Sequence, residues 1–251
     1  MSKNFDPNQN YYFFNKKNSV PIVFIHGVGL DHQMWDYQIN YFNEYSTLTY
    51  DLLGHGKTPY DKDKLSLRDF SDQLLKILDY LKIEKINLIG FSLGSLIALD
   101  FSSHFQKKVE KLILIGTTYK RSDEERSLVL DRYNQAKLNK PISKQALKRW
   151  FSDKYLENNP KTYDLFMKIL NKEPEDHKNF IKAYELFANY YDDFEAIKKI
   201  DRKTLVMTGS EDVGSTPAMS KELVKDLVNS TYIEIKNGKH LCSIECADDV
   251  N

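Results

Sequence analysis

Three residues far apart in the chain have the types that nucleophilic catalysis needs: Ser92, Asp212 and His240. Ser92 is the centre of Gly90–Phe91–Ser92–Leu93–Gly94, a G-x-S-x-G pentapeptide. A serine hydroxyl attacks a carbonyl well only when it is held out, strained and close to a base. Such a pentapeptide does this as a nucleophile elbow, a sharp turn from strand to helix whose glycines let the two elements pass close together. The apolar run Ile86, Leu88, Ile89 precedes it and an apolar stretch of helical period follows, which is the required context. An ordinary Gly/Ser turn between two core elements can carry the same five residues by accident, so the rest of the chain must decide.

The elements that would hold these residues can be read from hydrophobic patterning. Short apolar or β-branched runs at Tyr11–Phe14, Pro21–Ile25, Thr47–Tyr50, Lys111–Ile115, Thr204–Thr208 and Tyr232–Ile235 predict strands beside the elbow strand. Helical periodicity predicts helices to about Phe42, over Leu65–Leu81 with Ser66 capping its start, over Ser95–Phe105, and over Thr216–Val228 with Pro217 in the first turn. From about Tyr119 to Ile200 no such strand occurs. Arg126–Leu138, Ser143–Phe151, Thr162–Leu170 and His177–Tyr191 read as helices, punctuated by Pro141, Pro160 and Pro174. The pattern predicts an α/β fold, a mostly parallel central sheet flanked by helices, with an all-helical insertion. The core domain is expected over residues 1–118 and 201–251, and a helical cap over 119–200. The aromatic stripe Phe180, Tyr184, Phe187, Tyr191 reads as core that can also roof a pocket.

With these elements the three residues converge. Ser92, Asp212 and His240 each follow the C-terminal end of a predicted strand, the edge where open α/β sheets bind ligands. Ser92 is the expected nucleophile and His240 the base that later returns the proton to the leaving group. Asp212, in Gly209–Ser210–Glu211–Asp212, would fix the imidazole tautomer. Glu211 is the nearby rival for the acid. The backbone N–H of Leu93, at the helix start, and that of Val28, in the turn His26–Gly27–Val28–Gly29, are expected to form the oxyanion hole. His26 is expected to brace that turn. Asp51 and His55, in Asp51–Leu52–Leu53–Gly54–His55–Gly56, look like a second acid–base pair, but Asp-rich glycine turns are usually held by Asp-to-backbone bonds.

Bulk composition excludes several classes. The 251 residues carry 36 Lys plus Arg against 36 Asp plus Glu, so no basic footprint for nucleic acid or an anionic membrane stands out. No apolar run approaches membrane-spanning length and the N-terminus lacks a signal-peptide core, so a cytoplasmic protein is expected. The only cysteines, Cys242 and Cys246, sit four apart in an expected helix without a matching His pair. They read as reduced thiols and not as zinc ligands. No cofactor or metal is called for, and the sequence sets no oligomeric state.

These features resemble the α/β-hydrolase superfamily over nearly the whole chain: H-G-x-G, D-x-x-G-x-G-x-[ST], the elbow, a helical cap, G-x-x-D and a late His. The sequence looks most like the 3-oxoadipate enol-lactonases, through HGVGLDHQMWDYQ, Leu147–Lys148–Arg149–Trp150–Phe151, KAYELFANYYDDFEAIKKI and His240–Leu241 with Ile244–Glu245. That likeness implies a cofactor-free hydrolase of a small anionic enol-lactone, with Arg149 and Trp150 near the substrate; for Arg149 a surface salt bridge is the competing reading. More broadly it implies a small carboxylic ester or lactone as substrate and an acyl-enzyme intermediate. Carbon–carbon bond hydrolases of vinylogous diketones share the fold and triad, though they often carry Ser-Gly where Val28–Gly29 stands. A triad-retaining small-molecule receptor is a third reading, and haloalkane dehalogenation would need a carboxylate at Ser92. The sequence departs from the family at Lys203, often proline, at Ser95, often glycine, and in an abbreviated N-terminal hairpin. The likeness also implies a longer final helix than one ending at Asn251, hence a truncated C-terminus.

Overall fold

Alternation within the short apolar runs decides which face of the sheet each side chain covers. Val23 and Ile25 join one apolar cluster and Phe24 the other; Leu88 and Ile89 divide in the same way, as do Val206 and Met207. The sheet is thus buried on both sides, as a parallel sheet must be. The computed structural model describes residues 4–138 and 142–251, so Pro141 lies outside the described residues. It contains β1 (Tyr12–Asn15), β2 (Ile22–Ile25), β3 (Thr47–Tyr50), β4 (Ile86–Phe91), β5 (Val109–Ile115), β6 (Lys203–Gly209) and β7 (Ser230–Ile235). Their spatial order is β1-β3-β2-β4-β5-β6-β7, with only β1 antiparallel to its neighbour. Among the described residues the N-terminal hairpin is reduced to one antiparallel bridge, Phe5 with Tyr11, and β1 pairs with β3, Tyr12 opposite Tyr50.

Helices fill the connections. α1 (Asp36–Tyr41) follows a 3₁₀ turn at His32–Trp35, and α2 (Leu67–Tyr80) starts at a capping box in which Ser66 and Asp69 satisfy each other's backbone N–H. α3 (Leu93–His104) leaves the elbow and is buried along most of its length. Between β5 and β6 lie α4 (Asp123–Lys137), α5 (Ser143–Trp150), α6 (Asp153–Asn158), α7 (Pro160–Leu170), α8 (Pro174–Ala188) and α9 (Phe194–Lys198). α10 (Pro217–Asp226), capped by Thr216, precedes β7, and α11 (Cys242–Glu245) and α12 (Ala247–Val250) close the described chain.

The inserted helices divide between the two apolar clusters. Tyr133 and Tyr184 of α4 and α8 belong to one apolar cluster, Leu147 and Phe166 of α5 and α7 to the other. Three differences from the sequence reading have local causes. α6 and α9 were not expected; at six and five residues they have no room for a hydrophobic period and depend on the caps Ser152 and Asp193. α8 begins earlier, with Pro174 in its first turn, and ends before Tyr191. Tyr191 therefore leaves the aromatic stripe; it is exposed, with the Arg126 guanidinium 3.9 Å above its ring. The single final helix is broken at Cys246, so Cys242 is buried inside α11 while Cys246 sits at the break, both as free thiols.

Candidate active site

Ser92 stands where β4 turns into α3, with φ +53° and ψ −115°, the strained geometry of an elbow. Backbone crowding explains the flanking residues. A Cβ on Gly90 would lie 2.3 Å from the Gly94 carbonyl oxygen, and one on Gly94 2.3 Å from that of Ile25. Only glycine lets β2, β4 and α3 approach this closely. Ser95 stitches the helix start to the sheet: its hydroxyl donates to the Gly90 carbonyl at 2.6 Å and accepts the Ile115 N–H at 3.2 Å.

Asp212 lies in the turn after β6 and is almost wholly buried. One carboxylate oxygen accepts the N–H groups of Gly214 (2.8 Å) and Ser215 (2.9 Å). The other accepts Nδ1–H of His240 at 2.6 Å, which makes Nε2 the free acceptor whenever the ring is neutral. Glu211 is exposed, and its N–H is tied to the Gly238 carbonyl at 2.9 Å. His240 follows β7 and packs its ring against Phe91, centroids 4.8 Å apart, with Trp150 on a further side at 6.5 Å. The Trp150 carbonyl accepts the Leu241 N–H at 3.0 Å, tying the end of α5 to the His240 segment.

Ser92, Asp212 and His240 line one cavity of about 80 Å³, together with Val28, Arg149 and Trp150. That is several times the roughly 10–15 Å³ that one water needs, so the space suits a small metabolite. The Leu93 N–H is among the first-turn donors that a helix leaves without an intrahelical acceptor. The Val28 N–H has no protein acceptor among the described residues.

Aromatic rings of Phe180, Tyr184 and Phe187 on α8 close one wall. Sequence reasoning did not find Arg132 of α4, which also lines the cavity. Its α4 neighbours carry no motif, and only docking of α4 over the sheet edge brings it to Arg149. Among the described residues no carboxylate reaches within ion-pair distance of either guanidinium, and the sole partner of Arg149 is the Gln145 carbonyl at 3.5 Å. Burial, followed by the charge of Arg132, pushes the Arg149 guanidinium below its usual range, but an arginine there remains charged. The salt-bridge reading of Arg149 is thus corrected: the side chain faces the cavity without an anionic partner among the described residues.

Asp51 and His55 serve the neighbouring turns and do not line the cavity. The Asp51 carboxylate accepts the N–H groups of His32 (3.0 Å) and Lys57 (2.8 Å) and meets Nδ1 of His32 at 2.7 Å. His26 braces the turn after β2, with Nδ1 donating to the Gly27 carbonyl at 2.8 Å and Nε2 accepting the Leu52 N–H at 2.9 Å. Among the described residues there is no group of His, Cys, Asp and Glu that could hold a metal, and no helix long and apolar enough to cross a membrane.

A seven-stranded, mostly parallel sheet with an elbow after β4 and a pocket at its C-terminal edge defines an α/β hydrolase. Residues 20–246 match the model of the alpha/beta hydrolase fold family, and the chain belongs to that family. It is 28% identical over 250 residues to the (E)-2-((N-methylformamido)methylene)succinate hydrolase of Acinetobacter baylyi, covering 97% of this chain and 92% of that protein. It is 24% identical to 3-oxoadipate enol-lactonase 2 of the same organism, over 94% of this chain and 87% of the relative. Among solved structures, the enol-lactonase from Burkholderia xenovorans superposes with a TM-score of 0.87 at 24% identity, over 96% of this chain and 93% of that one.

Proposed function

We propose that the chain is a cofactor-free serine hydrolase that cleaves a small carboxylic ester or lactone bearing a carboxylate, of the 3-oxoadipate enol-lactone kind. The observation that carries this reading is the common cavity of Ser92 and the Asp212-bound His240, walled by two arginines that have no anionic partner among the described residues. The names of the relatives, a succinate-derivative hydrolase and an enol-lactonase, support a small carboxylate substrate.

In this reading Ser92 Oγ attacks the substrate carbonyl while His240 Nε2 takes its proton. The tetrahedral oxyanion is stabilised by the N–H groups of Leu93 and Val28. The carbon–oxygen bond to the leaving group breaks, and His240 returns the proton to that oxygen, leaving an acyl group on Ser92. Water, deprotonated by the same imidazole, then attacks the acyl carbonyl and releases the acid and free Ser92. Asp212 holds Nδ1–H and balances the imidazolium. Arg149, Arg132 and Trp150 hold the substrate, on a cap of residues 119–200 over a core of 1–118 and 201–251. The cytoplasm is the proposed location.

The test compares wild type with Ser92→Ala on 4-nitrophenyl acetate and on 3-oxoadipate enol-lactone. Loss of about 10³-fold or more in kcat is expected on both. Unchanged turnover in the variant would sink the serine-hydrolase reading. Ester cleavage without enol-lactone cleavage would remove the lactone assignment alone.

A further inference from the structure

We infer that His55 is a positioning residue, which aims the Val28 N–H into the cavity by holding the next peptide group from behind. The inference rests on the reading of Ser92 as nucleophile and Val28 as an oxyanion donor. Two adjacent peptide groups decide where that N–H points. In the first, the Val28 N–H and the Gly27 carbonyl belong to one planar trans unit and so point in opposite directions. The Gly27 oxygen is held by Nδ1–H of His26 at 2.8 Å and by the Leu30 N–H at 3.2 Å. In the second, the Gly29 N–H donates to Nε2 of His55 at 3.0 Å. Val28 alone lies between these two anchored units, and its own φ and ψ are the only soft torsions linking them.

His55 can do this only as a neutral ring with its proton on Nδ1, and the structure specifies that state. Nδ1 faces the Leu53 carbonyl at 3.1 Å, and a carbonyl can only accept, so the proton is there and Nε2 is the acceptor. The ring is fully buried, and burial first, then the charges of His26 and Lys172, push its pKa well below the ordinary imidazole range. Its edge meets His26, ring centroids 5.2 Å apart, so the two anchors of the turn also support each other. His55 does not line the cavity, and its effect on the reaction passes through the Gly29 peptide.

The test uses the full chain carrying His55→Phe, which removes the acceptor, and His55→Gln, whose side-chain oxygen can accept the Gly29 N–H. Three quantities are measured: kcat and KM on 4-nitrophenyl acetate, the inhibition constant of butylboronic acid, and the melting temperature. Boronic acids form a tetrahedral adduct on a serine Oγ and so report the oxyanion site. Loss of a whole oxyanion donor costs about 10²–10³ in kcat; its misdirection in His55→Phe is expected to cost about 10–100-fold. KM should stay within about twofold while boronate affinity falls in proportion to kcat, and His55→Gln should recover most of both. Where His55→Phe yields no folded protein, His55→Asn, too short to reach the Gly29 N–H, takes its place with the same expectation. A lowered melting temperature with kcat and boronate affinity retained would overturn the inference and leave His55 a purely structural residue. A wild-type chain that neither cleaves the ester nor binds the boronate would overturn the hydrolase reading itself, and this inference with it.

Discussion

Gly116 lies against the His240 imidazole so closely that a Cβ on it would stand 3.2 Å from Cε1 and 3.3 Å from Nδ1. Gly116 follows β5 with φ +59°, where a side chain is strained as well as crowded. Gly116→Ala is therefore expected to displace the ring and to cost about 1–2 kcal/mol in stability. The readout is kcat on an aryl ester beside the melting temperature. A fall in kcat of at least about tenfold is expected, with KM little changed, because a small shift of a reacting group is costly.

Asp212→Asn tests the tautomer. The amide oxygen can keep the N–H groups of Gly214 and Ser215, so the turn should survive. The amide nitrogen, facing Nδ1, can only donate, and drives the imidazole proton to Nε2. A loss of about 10⁴-fold in kcat is expected at neutral pH, with the melting temperature nearly unchanged. Steady-state kinetics and a thermal melt on one preparation check both halves.

Arg149 and Arg132 should sort substrates by charge. Hydrogen bonds to a charged group are worth about 1.5–3 kcal/mol, or roughly 10–150-fold. Arg149→Gln is expected to raise KM by about that factor for an ester bearing a carboxylate and to leave a neutral acetate ester unaffected. Removing one of two like charges should also hold or raise the melting temperature of the free protein, the usual exchange of stability for function. An equal KM change on charged and neutral esters would contradict an anion-binding role.

The buried histidines set a pH dependence of stability. His55 and His26 are pushed below the ordinary range, chiefly by burial, so below about pH 6.5 the unfolded chain binds protons that the native chain refuses. Each such group removes up to about 1.4 kcal/mol per pH unit as the pH falls below that value. His32 acts oppositely. Burial alone would lower it, but the hydrogen bond and charge of Asp51 outweigh burial and raise it. Its contribution is full below about pH 6.5 and is lost as the pH rises through its raised value. Asp51 is lowered despite its burial, through His32, and its share is lost only on acidification past the carboxylate range. Two lowered groups against one raised group predict a falling melting temperature from pH 7.5 to 5.5. In His32→Asn the fall should be steeper, which differential scanning at the two pH values would measure.

What could be read in the sequence follows from how local its cause is. That Ser92, Asp212 and His240 share one sheet edge was legible because each follows an apolar run that forms a strand, and the fold brings all three to one cavity. The bracing role of His26 was legible for the same reason. Helix α2 announced itself through its period and the Ser66 cap, and the body of α8 through its aromatic period alone. Arg132 was not legible, because its role depends on how α4 docks and not on anything within α4. The pairing of β1 with β3 was equally hidden, since it joins residues 32 to 38 positions apart in the chain. Ser95 looked like a mere departure from the family. Its reason is a pair of hydrogen bonds to two strands that only the folded chain supplies.

The order of the strands also has a kinetic consequence. Ser92 follows β4, Asp212 follows β6 and His240 follows β7, with α4 to α9 inserted between β5 and β6. The residues that line the cavity run from Gly27 to His240, and the parallel neighbours β5 and β6 can meet only after that long stretch has been closed into a loop. Closure over such distances is slow compared with helix formation. During refolding, ester cleavage should therefore return only with the last phase, well after the helical circular dichroism, making turnover a clock for completion of the sheet.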